Sequence, residues 1–276
     1  MRRRSDEVLR ELRPFLMSGL SLGLGGANVV MQLSRPGVGR GVVESTVEGG
    51  SLYHHPVKRT RTTLGYIAIA LFGTDAERLY LRREVDRQHR PVHSTAASPV
   101  AYCAFDPELQ LWVAACMYRG LEDVVTMRYR SIDPSTLDGL YQQCSRFATT
   151  LQVPASSWPS DRAAFERYWV RSLSEVKMDE ATRSLASSVV SLSFTPAPVR
   201  VLLGPAHRFI TTGFLPVIFR DELGLTWDPR RQRRFNALCR AAVALNRLLP
   251  RPAREFPWNL VLWDTRRRIG RGRPVV

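Results

Sequence analysis

The stretch that decides the fold runs from Pro56 to His89: "PVKRTRTTLGYIAIALFGTDAERLYLRREVDRQH". Pro56 suits a first helical turn and Gly73 a helix stop, so residues 56–73 read as one helix. Thr74 and Asp75 are N-cap candidates for a second helix, which runs to about His89 and is limited by Pro91. On the first helix Leu64, Ile67 and Leu71 form an apolar face. Arg59, Thr63 and Tyr66, at i, i+4 and i+7, share the face beside it. On the second, Leu81, Val85 and His89 follow one another at spacing four, with Val92 three residues on, so His89 extends an apolar stripe.

The same periodicity spreads outward from this pair. Upstream, a charged helix from Arg4 to Leu12 breaks near Pro14, and an apolar helix continues to about Leu33; "SRPGVGRG" (34–41) reads as a turn. Downstream, Asp106-Pro107 opens a long helix through "ELQLWVAACMYRGLEDVVTMRYR". Further helices are expected at about 134–151, 161–176, 180–194, 205–220 and 229–248, separated by loops such as "VPASSWPS" and "FTPAPV". Alternating strands, internal repeats and low-complexity tracts are absent. The expectation is all-α: a single helical domain over residues 1–230, with an arginine-rich C-terminal helix and tail over 231–276 packed on it or extending from it.

The 276 residues are long enough to bury a substantial core, and 44% hydrophobic with 9% aromatic residues is a globular composition. The formal net charge is +15, carried by 40 Lys+Arg against 25 Asp+Glu; only Lys58 and Lys177 are lysines. Residues 228–276 hold 13 arginines against Asp228, Glu255 and Asp264, whereas the preceding 227 residues are nearly balanced. Such a tail suits a solvated surface or an anionic membrane face. A nucleic-acid-binding role for it lacks the aromatic interleaving usual in single-strand binders, and none is expected.

Cys103, Cys116, Cys144 and Cys239 are scattered beside apolar stretches with no C-x-x-C spacing. They read as small buried side chains, and a reducing cytoplasm is the natural compartment. Phe15–Met31 follows Arg2, Arg3 and Arg4, but Asp6, Glu7 and Glu11 interrupt that basic run, and the Gly- and Ser-rich segment is short for a bilayer span. It reads as a buried helix whose glycines admit another helix or a flat ligand at close range.

Several chemistries are excluded by the absence of a P-loop, a strand-preceded G-x-G-x-x-G, H-E-x-x-H, G-x-S-x-G and paired E-x-x-H motifs. Five histidines remain: His54, His55, His89, His93 and His207. His89, at the end of a buried stripe, is a packed core residue or the proximal ligand of a haem, and periodicity does not choose between them. The Arg59/Thr63 pair is a solvated polar face or a device that positions carboxylates or an oxygen.

The residues in order resemble the MpaB/rubber-oxygenase family, which includes the latex-clearing proteins. "GGANVVMQLSRPGVGRGVVES" is similar to the family's glycine-rich helix and Gln-Leu-x-x-Pro-x-Val turn, and "KRTRTTLGYIAIALFG" to its R-x-x-x-T helix. "VDRQHRPV" is similar to its H-x-x-V element, "AYCAFDPELQLWVAACM" to its Y-x-A-x-D-P-x-L-x-x-W-V helix, and "FLPVIFRDELGLTW" to a late conserved segment of the family. The resemblance implies a globin-like haem-dependent oxygenase domain holding one haem b, with His89 as its iron ligand. It implies Arg59, Thr63 and Tyr66 as pocket residues, Gly25 and Gly26 as a flat surface for the porphyrin, and Glu44 as a catalytic carboxylate beside Arg59 and Thr63. Dioxygen and a hydrophobic, isoprenoid-like or secondary-metabolite substrate are the implied partners, in a cytoplasmic protein that also touches membranes peripherally. The alternative is a haem- or lipid-binding protein without turnover. Thr62 stands where the latex-clearing proteins carry a lysine that can ligate the distal side, so a closed form using that lysine is not expected. Ser94 replaces a glycine frequent in the family.

Overall fold

The computed structural model describes residues 2–47, 52–128 and 132–276. The side chains of Arg2, Arg3, Arg4 and Asp6, which entered the reading of the N-terminus, lie outside the described residues. No strand occurs among the described residues; the one β-bridge pairs His93 with Cys103. The chain is all-α, as its periodicity predicts.

Local capping chemistry sets many helix starts. Helix α1 (Arg2–Leu16) runs through Pro14 without breaking, and a 3-10 turn (Gly19–Leu24) leads into α2 (Gly25–Leu33). The stretch expected to be a turn is helix α3 (Pro36–Val43), with Pro36 in its first turn. Its glycines serve packing: a Cβ on Gly39 would fall 2.5 Å from both Leu33 O and Thr182 Cγ2, and one on Gly41 3.3 Å from the Tyr102 ring. Helix α4 (Pro56–Phe72) and α5 (Asp75–His89) follow the expected bounds. Thr74 caps α5 reciprocally: its Oγ1 accepts from Glu77 N–H at 3.2 Å while its own N–H donates to Glu77 Oε2 at 2.7 Å.

Helix α6 (Pro107–Arg128) is the central element. The helix expected over 134–151 is split at Ser145 into α7 (Pro134–Cys144) and α8 (Arg146–Thr149). Next come α9 (Arg162–Leu173) and α10 (Glu180–Ser191), capped by Asp161 and Asp179. Helix α11 (Ala197–Phe214) begins eight residues earlier than expected and carries Pro205 within it. It stops because Leu215 precedes Pro216 and is extended, and α12 (Val217–Glu222) starts afresh. The C-terminal region holds α13 (Pro229–Leu248), α14 (Arg251–Arg254) and α15 (Trp258–Gly270).

The core surrounds α6. Trp112 is fully buried, stacks on Trp169 at 5.2 Å between ring centroids, and donates Nε1–H to Met31 O and Gln32 O. Those carbonyls end α2, and Met31 O also accepts from the Ser34 hydroxyl at 2.6 Å. Tyr118 meets Phe165 edge-on at 4.7 Å. Asn28 Nδ2 donates to Cys116 O at 2.6 Å, an approach that Gly120 permits, since a Cβ there would sit 2.6 Å from Asn28 Nδ2. Burying such rings contributes roughly 1.5–3 kcal/mol each by transfer alone. Cys116 and Cys144 are buried, but Cys103 is exposed, against the expectation, because it sits in the surface bridge with His93.

Phe15–Met31 lies largely inside the molecule. Among the described residues no single helix is long and apolar enough to cross a membrane; Glu7–Leu16 with Gly19–Leu33 reaches that length and apolarity only as a pair bent by 74°.

Candidate active site

Two short-linked helices, α4 and α5, bring Arg59 and His89 into electrostatic contact. His89 ends α5, and its ring meets Phe105 edge-on at 6.2 Å. Its Nδ1 is buried with no hydrogen-bond partner. Burial lowers the imidazole pKa, the positive charge of Arg59 lowers it further, and Asp86 opposes both. The ring is therefore neutral near pH 7 and keeps a lone pair for a ligand.

Arg59 shows the other half of the arrangement. Its side chain is solvent-accessible, yet burial by the surrounding protein pulls its pKa below the ordinary arginine range. Among the described residues no carboxylate pairs with it. An exposed guanidinium without a carboxylate partner is available to an anionic group.

The hydroxyls beside Arg59 are turned inward to the backbone. Thr63 Oγ1 donates to Arg59 O at 3.0 Å and Thr62 Oγ1 does the same, while Tyr66 OH donates to Phe147 O at 2.6 Å. Tyr66 thus ties α4 to α8, and the Thr63 hydroxyl, its proton used, keeps only acceptor capacity. Gly26 is used for helix packing: a Cβ there would lie 2.6 Å from Thr211 Oγ1 and 2.9 Å from His207 Cε1, both on α11. A Cβ on Gly25 would have nothing within 4 Å.

Glu44, at the end of α3, accepts from Ser98 Oγ at 2.6 Å and Tyr102 OH at 2.8 Å, and Arg40 lies 3.6 Å away. These two donors, with Arg40, hold its carboxyl below the usual carboxylate range. The loop that supplies them is folded on itself, with Ala104 N–H donating to Val92 O and Ser94 N–H to Tyr102 O. One loop therefore carries Tyr102 onto Glu44 and Phe105 onto His89.

Residues not singled out from sequence complete the setting. Asp86 accepts from Gln152, which also receives a hydrogen bond from Gln110, and Gln110 donates to Ala104 O as well. This relay anchors the end of α5 to the start of α6. The only trace of it in the sequence is Asp86 three residues ahead of His89, on the same face. The basic tail also reaches the site helices. α15 lies along α4, where a Cβ on Gly65 would sit 2.9 Å from Thr265 Oγ1, and Asp264 pairs with Arg61 at 2.9 Å. Beyond α15, Val275 N–H donates to the buried Glu84 on α5.

Two open surface recesses, of about 390 and 500 Å³, lie beside Trp227 and Arg208 and beside His54 and Lys58; neither is lined by Arg59 or His89. Among the described residues no group of three or more His, Cys, Asp or Glu could hold a metal ion. The donor set that remains is a single neutral imidazole near a cation. That fits a haem, whose ring supplies four nitrogens to the iron and whose carboxylates need a cation.

A family model described as the ER-bound oxygenase mpaB/B'/rubber oxygenase catalytic domain matches residues 13–244. The match takes in Glu44, Arg59, Thr63, Tyr66 and His89, continues into α13, and stops before α14 and α15. Two uncharacterised proteins, from Mycobacterium bovis and Mycobacterium tuberculosis, are each 48% identical over 253 residues, covering 92% of this chain and 99% of theirs. No solved structure matches the chain. With Arg59 and His89, on consecutive helices α4 and α5, both inside the matched segment, the chain belongs to the mpaB/rubber oxygenase catalytic-domain family.

Proposed function

We propose that this protein is a haem b-dependent oxygenase acting on a hydrophobic, isoprenoid-like or secondary-metabolite substrate, with His89 as the residue that would hold the haem iron. The observation that carries the reading is the nearness of two incomplete groups: a buried, partnerless His89 nitrogen and the Arg59 guanidinium, which no carboxylate among the described residues answers. Haem b, when bound, supplies activation of dioxygen. The chain does the rest. His89 offers a neutral imidazole, Phe105 and the Asp86–Gln152–Gln110 relay fix the position of that ring, and Arg59 answers a carboxylate or a developing oxyanion. Thr63 contributes an acceptor beside Arg59. Glu44 stays ionised at neutral pH, and because Ser98 and Tyr102 both donate to it, it is a weak proton acceptor that chiefly holds the 92–104 loop. The hydrophobic substrate class follows from the family's rubber oxygenases.

Reconstitution with haemin tests this directly. The purified protein is expected to show a Soret band that His89→Ala abolishes or displaces, and Arg59→Ala is expected to weaken haem retention roughly tenfold, the loss of one charge-assisted pair. Absence of a Soret band, or an unchanged band in His89→Ala, removes the haem assignment. Oxygen uptake with a panel of polyenes then separates an oxygenase from a protein that binds haem without turnover.

A further inference from the structure

The corner where α13 turns through α14 into α15 is apolar on its outer side and cationic around it. Leu245, Leu248 and Leu249 are exposed at the end of α13, and Leu248 keeps 80% of its area accessible. Across the turn, Phe256 is exposed just ahead of α15, and Leu260 and Trp263 are exposed on the face of α15 opposite buried Trp258, Leu262 and Thr265. From Leu238 to the end of the chain there are nine arginines against Glu255 and Asp264, and both acids are engaged, with Arg251 and with Arg61 and Arg268. Arg240 and Arg247 pair with no carboxylate among the described residues, and the Arg267 guanidinium rests 5.2 Å from the Trp263 ring centre.

We propose that this corner docks on an anionic lipid bilayer, with the leucines and Trp263 entering the headgroup region and the arginines meeting lipid phosphates. Exposed Leu, Phe and Trp ringed by arginine are the side chains that an interfacial helix uses. A second copy of the chain is a poorer occupant, since a self-complementary contact would bring unpaired arginines against their own kind. Charge separates this corner from the other exposed apolar surface. Val201 and Leu202 on α11 are as accessible, at 75% and 78%, but only Arg200 and Arg208 lie near them on that helix. Because the inner face of α15 packs on α4, docking places the bilayer about one helix diameter, ~10 Å, from the helix that carries Arg59. The docking itself does not depend on the haem assignment.

Flotation of the full chain with phosphatidylcholine vesicles, with and without phosphatidylglycerol, tests the proposal. Binding is expected to be roughly tenfold or more tighter to the anionic vesicles and to weaken with salt. Arg240→Gln with Arg247→Gln and Arg267→Gln removes about fivefold per arginine. Leu248→Ser with Leu260→Ser and Trp263→Ser abolishes binding while the far-ultraviolet circular dichroism stays native. Val201→Ser with Leu202→Ser leaves binding unchanged. The proposal is overturned if anionic vesicles are bound no better than neutral ones or if either set of corner variants binds like the unaltered chain. It is equally overturned if the α11 pair is the one that matters, if the corner variants instead dissolve a dimer seen by light scattering, or if a DNA duplex is bound as tightly and independently of the leucines.

Discussion

The aromatic core around α6 and the α4–α5–α15 layer are built from the same helical elements but finished differently. In the core, Trp112, Tyr118, Tyr141 and Phe165 are buried against one another, and their polar atoms find partners. Trp112 donates to the end of α2, Tyr118 to Glu122, and Tyr141 to Pro159 O. In the α4–α5 layer, the His89 Nδ1 is buried without a partner and Arg59 has no carboxylate partner among the described residues, and the tail braces the helices from outside through Arg61–Asp264, Arg266–Glu77 and Val275–Glu84. The first region holds the fold together through mutual ring packing, and the second leaves a histidine nitrogen and an arginine head without protein partners among the described residues.

Three changes test that division. The largest effect is expected from Phe165→Ala, which should cost about 3–5 kcal/mol in denaturant unfolding while the protein that remains folded binds haem as before. Gly65→Leu forces α15 away from α4; it should cost about 1–3 kcal/mol and, unlike Phe165→Ala, weaken haem retention in the folded fraction. If both variants lose haem only in proportion to their unfolding, the two regions are not functionally distinct.

Asp123, on α6, sharpens the comparison from the core side. Burial, and then the neighbouring charge of Glu122, push its carboxyl up to about 7. The folded state therefore keeps this proton up to about pH 7, whereas the unfolded chain releases it near its model-peptide value of 3.8. The folded state binds more protons in that window, so this group's contribution falls as pH rises from about 4 to 7 and stays low above it. Asp123→Asn removes the fall. Its unfolding free energy from urea titration should gain on the unaltered protein between pH 5 and pH 8 by on the order of 1–2 kcal/mol, the partial exposure of the side chain being allowed for. A constant difference across that range would show that Asp123 is ionised throughout.

Much of the fold was legible because its signals are local. Thr74 with Glu77, Asp161, Asp179 and Asp228 each satisfy donors within three residues of themselves, so caps can be read along the chain. The face shared by Arg59 and Thr63 and the stripe that ends at His89 follow from helical spacing alone. Helix α3 was not legible, because its glycines look like turn residues until Thr182, Leu33 and Tyr102 are seen to press on them. Gly26 likewise meets α11 rather than a visible ligand surface, and Tyr66, which shares the Arg59 face by spacing, directs its hydroxyl to α8.

By itself, the sequence determined an all-helical chain, the place of Arg59 and His89 on consecutive helices, and a C-terminal region rich in arginine, since periodicity, capping and charge are properties of neighbouring residues. Only the tertiary structure decided that Arg59 has no carboxylate partner among the described residues, that the His89 Nδ1 has no partner, and that the basic tail folds back along α4 with an apolar corner left outside. Those facts depend on which distant groups arrive beside a residue, Thr265 beside Gly65 or Phe105 beside His89, and desolvation and pairing are set by that arrival, not by the order of the chain.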